Sequence, residues 1–523
     1  MRQSISFASG LVACIAAALL TACGGGGGGG GGGIPLLPVL PATPVALSGT
    51  ATYESVPNPS GRLVYSDISI KPVRGAFVEV LDATSGSQLA TTSTDDNGAY
   101  SASVPSNANV VVRVRAQLTR TGALPSWDVT VRDNTQSNAI YSMQSSAFST
   151  GTAALTRDLR AGSGWGGSSY TSQRVSGPFA VMDTVYTAMQ KVLSVAPATA
   201  FPSLKVFWSV NNTNSGGSIA LGQIGTTFFI GRSSGAEIYV LGKEDVDTDE
   251  FDAPVIAHEW GHYYQASFSR DDSPGGAHST SELIDRRLAF SEGWGNGWSG
   301  IALGRSNYVD SGGPGQAQGG SLDLTQGPAT NRGWFRESSI QSIFWNLNQQ
   351  VGFKPIHDTM TGALFRSGAP VTSIHPFAVA FNATAQGSAS TLAALLTGQS
   401  ITVNDAYGAG EGNDGGVSIA LPMYKQAVVG TATSACVTNA ADPQRDGNKL
   451  GSFAYLRFTA PTNRGYQFTI SPPGGANPNY AIYRGGVVSR NTSSVNLSAG
   501  DYVLVVNDLN NSATSTCFGV IIQ

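Results

Sequence analysis

Asp252-Ala-Pro-Val-Ile-Ala-His-Glu-Trp-Gly-His-Tyr-Tyr264 decides how the rest of this chain is read. It carries His258, Glu259 and His262 in the order His-Glu-x-x-His. On an α-helix, positions i and i+4 lie about 400° apart, so both imidazoles leave one face, a turn apart. Two neutral imidazoles at that spacing can hold one zinc ion. Glu259 projects beside that face, within reach of a water at the metal. Asp252 is the expected N-cap, and Pro254 falls in the first turn, where a missing N–H costs nothing. Ile256, Trp260, Tyr263 and Tyr264 cluster on the side opposite the histidines, as a packing face. Gly261 is a poor helix residue, by roughly 1 kcal/mol against Ala, and reads as room for a close neighbour.

A His-Glu-x-x-His run also occurs by chance on solvated helices. Two facts weigh against chance here. The chain has only five histidines, and two of them sit in this run. A third donor then follows in Leu288-Ala-Phe-Ser-Glu-Gly-Trp-Gly-Asn-Gly-Trp298, where Glu292 is flanked by apolar residues. Burying a bare carboxylate is expensive, and a cation held by two imidazoles is a suitable partner. Two His and one Glu with the fourth position open make a catalytic zinc set.

His258-Glu-Trp-Gly-His262 followed by Ser291-Glu-Gly-Trp-Gly-Asn296 resembles the gluzincin metallopeptidases, nearest their thermolysin-like and fungalysin-like branches. The resemblance implies zinc on His258, His262 and Glu292, with Glu259 as general base toward water, and an α+β zincin domain over 170–430. That family usually has Asp one helical turn after the Glu ligand, accepting a hydrogen bond from the first histidine. Here the place holds Asn296, which can accept the N–H but has no charge to raise imidazole basicity. The family also stabilises the oxyanion with a downstream His or Tyr. Trp334 to Trp345, which resembles the helix after the site, contains no histidine. Arg336, His357, His375 and Tyr308 are the candidates. The segment Gly-x-Met-Glu-Asn that marks gluzincin aminopeptidases is absent, which favours internal cleavage of polypeptides. Strands ending near Ile230 or Leu241 can bind an extended substrate by edge pairing.

Composition sets the frame. At 523 residues, about three or four domains are expected. Charged residues are 12% of the chain and the net charge is −4, a balance that argues against a nucleic-acid partner. Arg2 and the apolar run Leu11 to Leu20 read as a signal peptide, too short for a membrane span. Leu20-Thr-Ala-Cys23 is similar to the lipobox of bacterial lipoproteins, which implies cleavage after residue 22, a lipid on Cys23, and a place at the outer membrane or cell surface. Residues 23–44 follow as a Gly-rich then Pro-rich tether.

Short alternating strands occupy 45–160, with a turn at Asp95-Asp-Asn-Gly98. Val73 to Val80, with Thr94 to Tyr100, resembles the carboxypeptidase-regulatory-like β-sandwich. Gly162 to Ser169 reads as a Gly/Ser linker, and Phe179 to Leu193 as an amphipathic helix. The acidic stretch Glu244 to Asp252 reads as a solvated loop, with calcium as its alternative. Residues 436–523 return to alternation, and Val495 to Val506 resembles the pre-peptidase C-terminal β-sandwich. Cys436 and Cys517 remain after the anchor and the signal, and can pair in an oxidising compartment. The expected fold is thus multidomain, a zincin flanked by two β-sandwiches. The expected activity is that of a surface-tethered zinc endopeptidase. The alternative is a non-catalytic adhesion lipoprotein with a degenerate peptidase domain.

Overall fold

Alternation in Val110-Val-Val-Arg-Val-Arg115 places one residue in two toward a core, and these residues lie in the Asn109–Arg120 strand with Val110, Val112 and Val114 fully buried. The structure, a computed structural model, describes residues 43–523 except Ser233 and Ala369. The expected signal peptide, Cys23 and the tether up to residue 42 lie outside the described residues. Among those described, eight α-helices fall between residues 177 and 398, and strands dominate on either side.

Asn109–Arg120 pairs with Ala76–Asp82 on one side and with Trp127–Asp133 on the other. Trp127–Asp133 then pairs in parallel with Leu204–Trp208, which pairs in parallel with Gly235–Val240. Phe228–Arg232 closes that end, antiparallel to Gly235–Val240. One ten-stranded sheet therefore runs across the boundary expected at 160–170. The physical reason is a shared core: Val129, Val131, Leu204 and Val206 are buried together with α1, Gly177–Leu193. Nor does the Gly/Ser stretch hang free. The Ser163 N–H and hydroxyl both donate to Glu54 at 2.8 Å, and Trp165 stacks on Tyr65 with ring centroids 3.7 Å apart.

The turn at Asp95–Gly98 forms as expected, with the Asp95 carboxylate accepting from the Asn97 and Ala99 N–H groups at 2.8 Å. It joins strands of different sheets. Gln88–Ser93 pairs with Ala76–Asp82, while Ala99–Pro105 pairs with Pro44–Ser55. Gly98 has φ +76, and a Cβ there would lie 2.3 Å from the Ala51 carbonyl oxygen, so this corner needs glycine.

The acidic stretch differs from expectation. Asp249, Glu250 and Asp252 are buried, not solvated. Glu250 accepts from Arg174 at 2.7 Å and from the Trp208 indole at 3.1 Å. Asp252 sits at the N-cap of α2, Ala253–Phe268, but its carboxylate does not cap that helix. It accepts instead from Asn58 at 2.5 Å and from the Ser311 N–H and hydroxyl at 2.7 and 2.6 Å. Partners distant in sequence outcompete the local cap, and no local pattern announces them.

Behind α2 lies α3, Arg286–Leu303, buried on every side from Arg286 to Ala302. It packs between α2 and α4, Glu337–Val351. Four glycines permit that approach. A Cβ on Gly293 would meet Ile340 at 2.4 Å, and one on Gly297 would meet Phe344 at 2.9 Å. Gly261 answers from α2, where a Cβ would lie 3.0 Å from Trp298 and 3.2 Å from Gly295. Trp260 and Tyr264 stack on Trp298 beside it, with centroids 5.3 and 5.4 Å apart.

The C-terminal segment has its own core, centred on Phe458, Phe468, Leu504, Val506 and Phe518. Cys436 and Cys517 face each other across the antiparallel pair Thr433–Val437 and Thr516–Ile522 and form a disulfide. No helix among the described residues is long and apolar enough to cross a membrane.

Candidate metal centre

The i, i+4 spacing on α2 brings His258 Nε2 and His262 Nε2 to 3.1 Å from each other. From α3, Glu292 Oε2 approaches them to 3.1 and 3.4 Å. The three sequence-predicted ligands therefore converge. Donors sharing a tetrahedral ion at bond lengths of about 2.0–2.1 Å lie about 3.3–3.4 Å apart, so these separations suit zinc.

The outer nitrogens sharpen the test of fit. His258 Nδ1 lies 2.9 Å from the Asn296 amide oxygen, an acceptor. His262 Nδ1 lies 3.2 Å from the Ser291 hydroxyl, which donates onward to Asp271 at 2.8 Å. Each Nδ1 thus carries its proton outward, leaving an Nε2 lone pair facing the gap. Two lone pairs and a carboxylate oxygen then point at one another with no proton between them, an arrangement that a cation satisfies. Burial alone would raise the Glu292 carboxyl, yet His262 and the hydrogen bonds of three histidines hold it well below the usual range. Burial lowers His262, but Glu292 outweighs it and carries the imidazole up to about 9. A proton and a cation would therefore compete for this place.

Glu259 is partly exposed beside this set, and burial pushes its carboxyl up against the pull of His258 and His262. The Phe229 backbone N–H faces it. All four residues line a cleft of about 1360 Å³. One wall is Thr226 to Phe229 and another is the loop from Ser273 to Thr280. Of the two strands considered for edge pairing, Gly235–Val240 is bonded on both sides, whereas Phe228–Arg232 ends its sheet.

Of the four oxyanion candidates, Tyr308 lines the cleft, with its ring centroid 6.0 Å from that of His258. The other three do not line it. Arg336 donates to the Thr280 carbonyl at 2.9 Å, His357 Nδ1 lies 2.8 Å from the Tyr264 hydroxyl, and His375 pairs with Glu411 at 3.3 Å in the core. Sequence reasoning missed His278, Glu337 and Asp271. His278 Nε2 lies 3.3 Å from Glu292 and 3.6 Å from Glu337. Burial raises Glu337 to about 7, against the opposing pull of His278. The one signal for His278 was its place between the two motifs, in the loop Pro274-Gly-Gly-Ala-His278.

No family model matches the chain, and no curated protein matches it. Among solved structures, similarity covers parts of the chain. The pre-peptidase C-terminal domain of a collagenase from Bacillus anthracis matches at 9% identity over 19% of this chain and 94% of that one, with a TM-score of 0.16. A periplasmic inhibitor of g-type lysozyme from Salmonella Typhimurium matches at 15% identity over 19% of this chain and 99% of that one, with a TM-score of 0.14. A 9R-lipoxygenase from Cyanothece matches at 11% identity over 29% of this chain and 24% of that one, with a TM-score of 0.13.

Proposed function

We propose that the protein is a zinc-dependent endopeptidase, held at a bacterial outer membrane or cell surface by a lipid on Cys23. One observation carries the reading: the Nε2 atoms of His258 and His262 and Oε2 of Glu292 lie 3.1–3.4 Å apart in an open cleft that Glu259 also lines. The resemblance of both motifs to the gluzincin peptidases points the same way.

His258, His262 and Glu292 would hold the zinc, with Asn296 and the Ser291–Asp271 pair fixing the two imidazoles. Zinc supplies Lewis acidity toward water and toward the substrate carbonyl. Glu259 takes the proton of the attacking water as oxygen bonds to the carbonyl carbon. It returns that proton to the amine nitrogen as the C–N bond breaks. Its carboxyl, raised by burial, is the better base for that task. The free edge of Phe228–Arg232 lies beside Glu259 and suits an extended chain, which binds by backbone pairing. That geometry favours polypeptides over small amides.

The test is elemental zinc analysis of the purified full chain with casein cleavage. We expect bound zinc, loss of cleavage on chelation, and a drop of about 10²–10⁴-fold for Glu259→Gln with zinc retained. Undiminished cleavage by that variant, or a chain that binds no zinc, would remove the mechanism.

A further inference from the structure

Three carboxylates outside the metal set open onto the same cleft. Asp247, Asp249 and Asp310 each bring an oxygen within 4.8 Å of the others, and all three line the cavity. Asp310 shares the Asn307–Asp310 strand with Tyr308. Residues two apart on a strand face the same side, roughly 7 Å apart. Tyr308 packs against His258, so the wall that carries Asp310 also reaches the metal set.

Among the described residues, no Lys, Arg or His forms an ion pair with the cluster. Asp249 is 2% exposed, and one of its oxygens is held by the Thr227 hydroxyl. Its other oxygen has no hydrogen-bond partner, and neither has Asp247 Oδ1. Buried carboxylate oxygens without donors are costly. The carboxyls respond accordingly: burial first and then Asp252 raise Asp247 to about 6, and burial first and then Asp247 raise Asp310 to about 7. Thr227, which orients Asp249, immediately precedes the free edge strand. A peptide paired on that edge turns alternate side chains into the cleft. A basic side chain on such a peptide would bring a cation to these carboxylates.

We propose that Asp247, Asp249 and Asp310 form a subsite that takes a Lys or Arg side chain of the substrate next to the scissile bond. The proposal rests on the peptidase reading, and its tests separate the two. In a peptide library cut by the zinc-loaded full chain, Lys and Arg are enriched at least 10-fold at one position within two residues of the cut. A neutral or acidic preference overturns the subsite and leaves the peptidase standing. Asp249→Asn and the more exposed Asp310→Asn each lower the Lys-to-norleucine ratio in kcat/KM at least 10-fold, and an unchanged ratio overturns the assignment.

A second measurement needs no turnover. An alanine-rich fluorescent decapeptide with one central Lys binds the Glu259→Gln chain at least 5-fold more tightly than its norleucine twin, by anisotropy. Asp310→Asn abolishes the difference. Equal affinities overturn the subsite. Lys-selective binding by a chain that neither holds zinc nor cleaves keeps the subsite and ends the peptidase reading. If millimolar calcium raises Tm, Asp249→Asn removes that rise and no Lys preference is seen, the cluster holds a divalent ion and the proposal falls.

Discussion

At the scale of the residue, the core of the candidate site was legible because its spacing is local. His258 and His262 are one turn apart, as are Glu292 and Asn296, so each pair shares a helix face. What joins the pairs, and what His278, Glu337 and Asp271 add, depends on helix packing and a loop path that no periodicity encodes. Asn296 keeps the geometry of the usual carboxylate while lacking its charge, with its amide oxygen 2.9 Å from His258 Nδ1. We expect Asn296→Ala to weaken zinc binding about 10–100-fold, read by chelator competition, and Asn296→Asp to strengthen it. An unaltered affinity in Asn296→Ala would show that the imidazole needs no orienting partner. The acidic cluster gives a pH prediction with a definite sign. Asp310 is raised from 3.8 to about 7, by burial first and Asp247 second. Its folded form holds the proton more tightly than the unfolded form, so stability falls as pH rises from about 4 to about 7. Asp310→Asn removes that slope. Its Tm should exceed that of the parent at pH 7.5, by roughly 2 °C for a gain on the order of 1 kcal/mol, and the gap should close near pH 4. A gap independent of pH would place the effect elsewhere.

At the scale of the element, alternation located many of the strands and helical spacing located α1 and α2, but neither named their neighbours, and the helices between residues 353 and 398 went unread. The Trp127–Asp133 strand reads as part of an N-terminal sandwich until Leu204–Trp208 pairs with it in parallel. The acidic stretch reads as solvated until Arg174, far back in the chain, meets Glu250. α3 is the clearest case. Its glycines look unfit for a helix, costing roughly 1 kcal/mol each against Ala, and that cost is offset by close approach on several sides. Gly295 makes the point, because a Cβ there would lie 2.8–2.9 Å from three atoms of the His258 ring. Gly295→Ala gains helix propensity and loses more to the clash, for a net destabilisation of about 1–2 kcal/mol. It should also lower zinc affinity, because the displaced ring is one of the three donors proposed to hold the ion. Calorimetry and zinc titration together check both. A more stable variant with full zinc affinity would contradict the packing account.

At the scale of the whole molecule, the C-terminal segment is no detachable appendage in its contacts, although its own core and disulfide allowed that reading. Tyr455 donates to Asp285 at 2.6 Å, and Asp285 caps α3 through the Arg287 N–H. Arg286 stacks on Tyr455 with its guanidinium 3.9 Å from the ring centre, and Arg287 reaches the Tyr483 hydroxyl at 3.2 Å. The same segment grips the loop that bears His278. Asn448 donates to the Gly275 and Ala277 carbonyls at 2.9 and 3.0 Å, and buried Lys449 donates to Ala277 at 2.6 Å. One C-terminal segment thus fixes both the start of the helix holding Glu292 and the loop across the cleft. A chain ending at residue 430 would expose Arg286 and Arg287 and free that loop. We expect it to melt at lower temperature and to bind zinc at least about 10-fold more weakly, since what orients a ligand governs affinity nearly as much as the ligand itself. Tyr455→Phe isolates one thread of this coupling. Losing a hydrogen bond to a carboxylate should cost about 1.5–3 kcal/mol, with the disulfide-linked core intact by near-ultraviolet circular dichroism. A truncated chain with parental Tm and zinc affinity would mean that the part before residue 430 stands alone and these contacts are incidental.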